Sequence, residues 1–216
     1  RRRLQALLPR AHVIKTHHPT YVELAQQSDA HTDATLREQL GLPHDCPVIL
    51  FFGFVRPYKG LEYLIQAMPL ARQRRPVHLL VVGEFWSSPE FYERFTRDLH
   101  VEHAVTFVNR YVPNEELKPY FDLADVVVLP YVSATQSGVA QLAFGFGKPV
   151  ITTRVGGLYE VVEDGVNGLL VPPQDEQALA DAITRFYDED LAARLSQHSQ
   201  QHAFSWDDLV KAVEEA

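Results

Sequence analysis

A doubly wound α/β domain with a parallel sheet is the architecture this sequence predicts, and three observations predict it. Short apolar runs recur from Val48 onward, mostly β-branched and apolar on both parities, as strands buried on both faces of a parallel sheet are. Amphipathic stretches alternate with them, as crossover helices returning the chain to the same sheet edge must. The composition is that of a folded chain: of 216 residues, 46% are hydrophobic and 22% charged, with 11 Gly and 14 Pro. That excludes a disordered or low-complexity protein and suits one large domain or two small ones.

The first 32 residues read as a linker or the tail of a missing neighbour domain. Residues 1–3 are all Arg, without an initiator Met or a following apolar segment, so no signal peptide is expected and residue 1 reads as a fragment boundary. Ala11 to Thr16 has the pattern of a strand, and Gln26 to Thr32 is polar and loop-like. The domain itself is expected to occupy residues 33–216. It opens with a short capped helix over Asp33 to Leu40, stopped by Gly41-Leu42-Pro43. The predicted strands are Val48 to Phe52, His78 to Val82, Val105 to Val108, Asp125 to Leu129, Val150 to Thr153 and Gly168 to Val171. The predicted helices carry Leu61, Leu64, Ile65 and Met68; Phe91, Phe95 and Leu99; Leu117, Phe121 and Ala124; and Leu179, Ile183 and Phe186 on their inner faces. From Leu191 the chain reads as a helical tail, with Ser205 as an N-cap for the last helix.

A net charge of −8 argues against a general nucleic-acid surface, so any polyanion must be gripped locally. One cysteine, Cys46, excludes an internal disulfide framework and gives no zinc-ligand spacing. No apolar run approaches the ~18–20 residues of a membrane span.

Ligands of open α/β sheets bind beyond the carboxyl ends of the strands, and three loops there carry unusual residues. Gly53-Phe54-Val55-Arg56-Pro57-Tyr58-Lys59-Gly60 sets two cations beside a helix N-terminus, where the helix dipole already favours an anion; the alternative is a solvated basic turn. It matches neither G-x-G-x-x-G nor a Walker A sequence. Pro130 to Val139 brings small hydroxyl residues and Gly138 to another helix start, either an anion or sugar-hydroxyl site or simply a capped turn. In Thr153 to Glu160, the pair Gly156-Gly157 permits a ligand's close approach or a tight turn, with nothing to choose between them.

Together these loops carry a resemblance. Phe51-Phe52-Gly53 through Lys59-Gly60-Leu61, Gly147-Lys148-Pro149-Val150-Ile151, Val155-Gly156-Gly157-Leu158, Glu160-Val161-Val162 and Asp164-Gly165 through Gly168-Leu169-Leu170-Val171-Pro172 resemble, in order, the C-terminal domain of GT-B glycosyltransferases of family 4, group 1. The resemblance implies the donor-binding half of a two-domain, metal-independent, retaining hexosyltransferase of polysaccharide biosynthesis. Its substrate would be a nucleotide-diphosphate sugar such as a UDP- or GDP-sugar, with no cofactor. The acceptor, lipid-linked or a glycan, would sit on a missing N-terminal domain, leaving this chain alone inactive. A cytoplasmic protein is implied, with any contact to the inner membrane face made through the missing domain.

Residue by residue, the resemblance gives Lys59 and Arg56, with Gly53, Gly138 and Val139, to the diphosphate. Asn109, Arg110, Tyr111 and Val112 fall at the nucleobase, contacted largely through backbone. The family's Arg directly after the first Gly is Phe54 here, with Arg56 two residues on. Its two glutamates, for sugar and ribose, fall at Ala134 and Leu142, leaving Thr135, Gln136, Ser137 and Gln141 as neutral candidates. The variant Ser133-Ala134-Thr135-Gln136-Ser137-Gly138-Val139 reads as a lineage feature. The catalytic group is unassigned.

Other features are expected to be structural. Asp188-Glu189-Asp190 reads as a solvated helix end and not a metal motif; His17-His18, and His198 with His202, lack a carboxylate partner; Trp86 and Trp206 are expected to pack. Two further readings stay open: a non-catalytic nucleotide-sugar-binding or assembly module, and another GT-B enzyme such as a nucleotide-sugar epimerase.

Overall fold

The computed structural model describes residues 20–25, 33–201, 210, 211 and 214. The strand over Ala11 to Thr16, the Gln26 to Thr32 loop, His17, His18, His202, Ser205 and Trp206 lie outside the described residues. Six parallel strands form one sheet: β1 (Val48–Phe52), β2 (His78–Val82), β3 (Val105–Val108), β4 (Val126–Leu129), β5 (Val150–Thr153) and β6 (Gly168–Val171), in the order β3-β2-β1-β4-β5-β6. Each falls where its apolar run predicts it. Asp125 stands just before β4; its Oδ2 accepts from Val48 N–H at 2.8 Å and from the Tyr187 hydroxyl at 3.1 Å, which ties the starts of β1 and β4 together.

The helices are α1 (Val22–Ala25), α2 (Asp33–Gln39), α3 (Leu61–Arg72), α4 (Pro89–Asp98), α5 (Leu117–Leu123), α6 (Gly138–Gly145), α7 (Leu158–Val161), α8 (Glu176–Asp188) and α9 (Leu191–Gln201). Alternate strand residues feed two cores. Ile49, Phe51, Leu79 and Val81 meet Leu64, Ile65 and Met68 of α3 and Leu179, Ile183 and Phe186 of α8. Leu50, Phe52, Val127 and Leu129 meet Phe121 of α5, Phe144 of α6 and Leu36 of α2 on the opposite face. Burial on both faces is what continuous apolar strands require.

Helix α4 forms where predicted but turns another face inward. Phe91 is exposed, Phe95 and Leu99 are half-buried, and Tyr92 and Thr96 are innermost. Tyr92 packs edge-on against Phe85, at 5.5 Å between ring centres, and Phe85 does the same against Phe107 of edge strand β3. That aromatic contact sets the helix rotation, while Phe91 stacks on Phe95 outside it. Helix α1, a single turn within the segment read as a linker, packs against α6: a Cβ on Gly145 would lie 2.8 Å from the Tyr21 backbone carbon.

The strand order reverses between β1 and β4, and doubly wound sheets bind their ligands in the crevice opened there.

Candidate functional site

Two glycines shape the floor of that crevice. Gly53 leaves β1 at φ 92° and its N–H donates to Val82 O at 2.9 Å. Gly83 leaves β2 at φ 145°, and a Cβ there would come within 2.3 Å of Gly53 O. Side chains are therefore excluded where the two strand ends press together. The next turn, Pro57–Lys59, is 3₁₀ and closes on Gly60 in the left-handed region. Tyr58 O accepts from Val132 N–H at 2.8 Å, and Gly60 lies against Pro130 O. The turn is thus held under the loop that follows β4.

Lys59 is swung into the interior by this turn and is only 6% exposed. Among the described residues its ammonium has no carboxylate and no hydrogen-bond acceptor; it lies over Gly53, where a Cβ would come within 2.8 Å of it, and 5.7 Å from the centre of the Tyr131 ring. Burial, and then the positive charge of Arg56, push its pKa down from 10.5 to about 8. An unpaired cation held in a cleft is an incomplete ion pair.

Arg56 behaves differently. Its guanidinium lies 3.8 Å from the centre of the Trp86 ring, and its Nε is buried without a partner. Trp86, expected to pack, is 60% exposed; with Phe54 and Tyr111 it forms an aromatic rim, Phe54–Trp86 at 5.2 Å and Phe54–Tyr111 at 6.4 Å. Arg56 belongs to this rim and does not line the cleft.

The loop after β4 is fixed from both sides. In β5, Thr152 donates its hydroxyl to Leu129 O at 2.9 Å and Thr153 to Tyr131 O at 2.6 Å. From the next loop, Gly157 N–H donates to Thr135 O at 3.0 Å, and a Cβ on Gly156 would fall 1.4 Å from Ala134 O. The close approach that the glycine pair permits is to this chain's own backbone. Ser137 caps α6, its Oγ accepting from Ala140 N–H at 3.3 Å. Gly138 and Val139 then begin the helix at the cleft, where the first amides have no intrahelical acceptor. Thr135 and Gln136 are exposed and Gln141 is buried, and with Ser137 all three stand outside the cleft lining.

On the opposite wall, Asn109 uses its Oδ1 to accept from Phe85 N–H at 3.0 Å. Arg110 pairs with Glu116 and donates to the Tyr120 hydroxyl at 3.1 Å, and the Glu116 carboxylate raises its pKa further. Both side chains are occupied in holding the loop, which leaves Tyr111, 61% exposed, and buried Val112 to face the cleft.

The cleft encloses about 470 Å³. Sequence reasoning brought Gly53, Lys59, Tyr111, Val112, Gly138 and Val139 to its lining and missed Tyr21, Leu24, Phe54, Glu84, Asn114, Leu117 and Leu142 as contributors to it. Glu84 had a legible signal, an acid two residues past a strand end; Tyr21 and Leu24 had none. Asp188 pairs with Arg75 at 3.7 Å and Glu189 with Arg185 at 3.1 Å, at the end of α8. Among the described residues no three His, Cys, Asp or Glu side chains gather as metal ligands would, and no helix is long and apolar enough to cross a membrane.

The family profile described as "Glycosyl transferases group 1" matches residues 46–189. A D-inositol 3-phosphate glycosyltransferase of Corynebacterium urealyticum is 35% identical over 189 residues, covering 83% of this chain and 44% of that protein. Sucrose-phosphate synthase of Thermosynechococcus elongatus superposes with a TM-score of 0.75 at 33% identity, over 91% of this chain and 49% of the other. HepE of Anabaena, solved in complex with UDP, superposes with a TM-score of 0.73 at 28% identity, over 90% and 53%; it has also been solved with UDP-glucose. The chain thus spans about half the length of the relatives it matches. With the matched profile spanning strands β1 to β6 and both walls of the cleft, the chain belongs to the group 1 glycosyl transferases, as a Rossmann-like C-terminal domain of the GT-B fold.

Proposed function

We propose that the cleft binds the nucleoside diphosphate of a sugar-nucleotide donor, and that the whole protein is a retaining, metal-independent glycosyltransferase. The observation that carries this reading is Lys59: a lysine only 6% exposed, whose ammonium has no counter-charge among the described residues, in the same cleft as the opening amides of α6. A diphosphate supplies the missing charge and accepts from the helix amides at once. As the glycosidic bond to the donor phosphate breaks, negative charge grows on the departing diphosphate, and donors fixed in advance stabilise it most when it is fully developed. Arg56 adds positive potential from the rim. These cations do the electrostatic work that a metal does in other transferases. Tyr111, Val112 and the backbone of 109–112 receive the base, and exposed Thr135 and Gln136 serve the sugar through neutral hydrogen bonds. UDP, which HepE binds, is the first donor nucleotide to try, with GDP beside it.

The acceptor, lipid-linked or glycan, would be presented by a second domain across the cleft, in the cytoplasm or at the inner membrane face. Titration calorimetry of this chain with UDP and UMP, each with and without EDTA, tests the reading. The diphosphate should bind about tenfold or more tightly than the monophosphate, since a charged hydrogen bond contributes about 1.5–3 kcal/mol, and EDTA should change nothing. Equal affinities, or binding restored only by added magnesium or manganese, overturn it. Ala134 and Leu142, standing where the family has glutamates, favour a second reading of binding without transfer; sugar transfer by the full-length protein decides between the two.

A further inference from the structure

We infer that the cleft does not read the ribose 2′-hydroxyl, so that it accepts ribonucleoside and 2′-deoxyribonucleoside diphosphates alike; this rests on the diphosphate reading above. Helix α6 presents Gly138, Val139 and Leu142 to the cleft. With the diphosphate at this helix start and the base at Tyr111 and Val112, as proposed above, the ribose falls between them, where Leu142, Val112 and Leu117 cluster. One turn on, about 6 Å at 1.5 Å per residue, stands Leu142, packed to 8% exposure. Leu24 of α1 stands in the same lining, and Val112 and Leu117 contribute apolar surface to it. A ribose hydroxyl directed at this surface meets methyl groups and finds no side-chain acceptor among the described residues around Leu142.

Other polar side chains in the lining do not replace one. Glu84 is the carboxylate among them, but it follows β2, which is separated from β4 by β1, two strand spacings or about 10 Å across the sheet. Tyr111 and Asn114 are exposed, so a hydrogen bond from either exchanges with one to water and discriminates little. Tyr21 is part-exposed, so a hydrogen bond from it likewise exchanges with one to water. Strong selection for a hydroxyl comes from buried polar groups left unpaired when it is absent. The apolar surface around Leu142 leaves none.

Calorimetric competition between UDP and 2′-deoxy-UDP on the full chain tests this. The expected ratio of dissociation constants is below about tenfold, the span of one neutral hydrogen bond. A preference of tenfold or more for UDP overturns the inference while leaving the diphosphate site intact. Failure of both nucleotides to bind removes the diphosphate reading and this inference with it. Leu142→Glu, folded by circular dichroism, should shift the preference toward UDP by about tenfold or more, because a carboxylate then faces the sugar. If that variant does not fold, Leu142→Gln should move the ratio the same way by a smaller factor. An unchanged ratio in a folded variant shows that the ribose is not at Leu142.

Discussion

Asp125 and Lys59, at opposite ends of the sheet, meet opposite surroundings. At the amino ends of the strands, Asp125 joins β1 to Tyr187, His78 shares a 2.9 Å hydrogen bond with Thr106, and Arg72 donates to Val77 O at 2.7 Å. Burial and the neighbouring cations hold the His78 pKa down at about 4, so it is neutral across the physiological range. At the carboxyl ends, Lys59 is buried without an acceptor among the described residues, and Arg56 Nε has none either. The difference separates stability from binding. Asp125, with its partners in place, holds the fold, whereas Lys59, a cation in a cleft without an anion, costs free energy that an anionic ligand returns.

The largest effect should come from removing Asp125. Asp125→Ala strands both Val48 N–H and the Tyr187 hydroxyl, at about 1–3 kcal/mol for each unpaired group. Urea unfolding should show a loss of about 2–6 kcal/mol, with UDP affinity unchanged in the folded fraction. A loss of UDP binding in step with stability would erase the distinction between the ends.

Lys59→Met should do the reverse at the other end. The folded pKa of Lys59 lies below its unfolded value, so the folded state carries a penalty below about pH 8 that fades as pH rises toward 10.5. Removing the charge should raise stability at pH 7 by on the order of 2–3 kcal/mol and weaken UDP binding by about 10–150-fold. A variant that loses stability shows Lys59 to be a structural group.

The smallest effect is the titration itself. A diphosphate prefers the protonated ammonium, so UDP affinity of the wild type should fall by up to about tenfold between pH 7 and 9, as the free Lys59 deprotonates around 8. Lys59→Met should have a flat profile over that range. A wild-type profile equally flat places the diphosphate elsewhere in the cleft.

Much of this was legible in the sequence. Both-face burial leaves continuous β-branched runs, so all six strands were readable within a residue, Asp125 excepted because it acts through its carboxylate at the strand's start. Gly53, Lys59 and Gly138 were readable because loops after parallel strands lead into helix starts. The role of Arg56 was not. Its charge is visible in the sequence, but Trp86, 30 residues on, captures the guanidinium, and only the β1–β2 pairing makes them neighbours.

The sequence by itself determined the sheet, its alternation with helices and the cations of the first loop, because these follow from periodicity over neighbouring residues. Tertiary structure alone decided that Lys59 is buried and unpaired among the described residues while Arg56 is stacked, that Tyr92 and not Phe91 faces inward, and that Tyr21 and Leu24 line the cleft. Burial and pairing depend on which distant backbones meet, as Gly53 meets Gly83 and Gly156 meets Ala134. No local pattern encodes such a meeting, since each glycine reads the same whether it faces a ligand or its own chain.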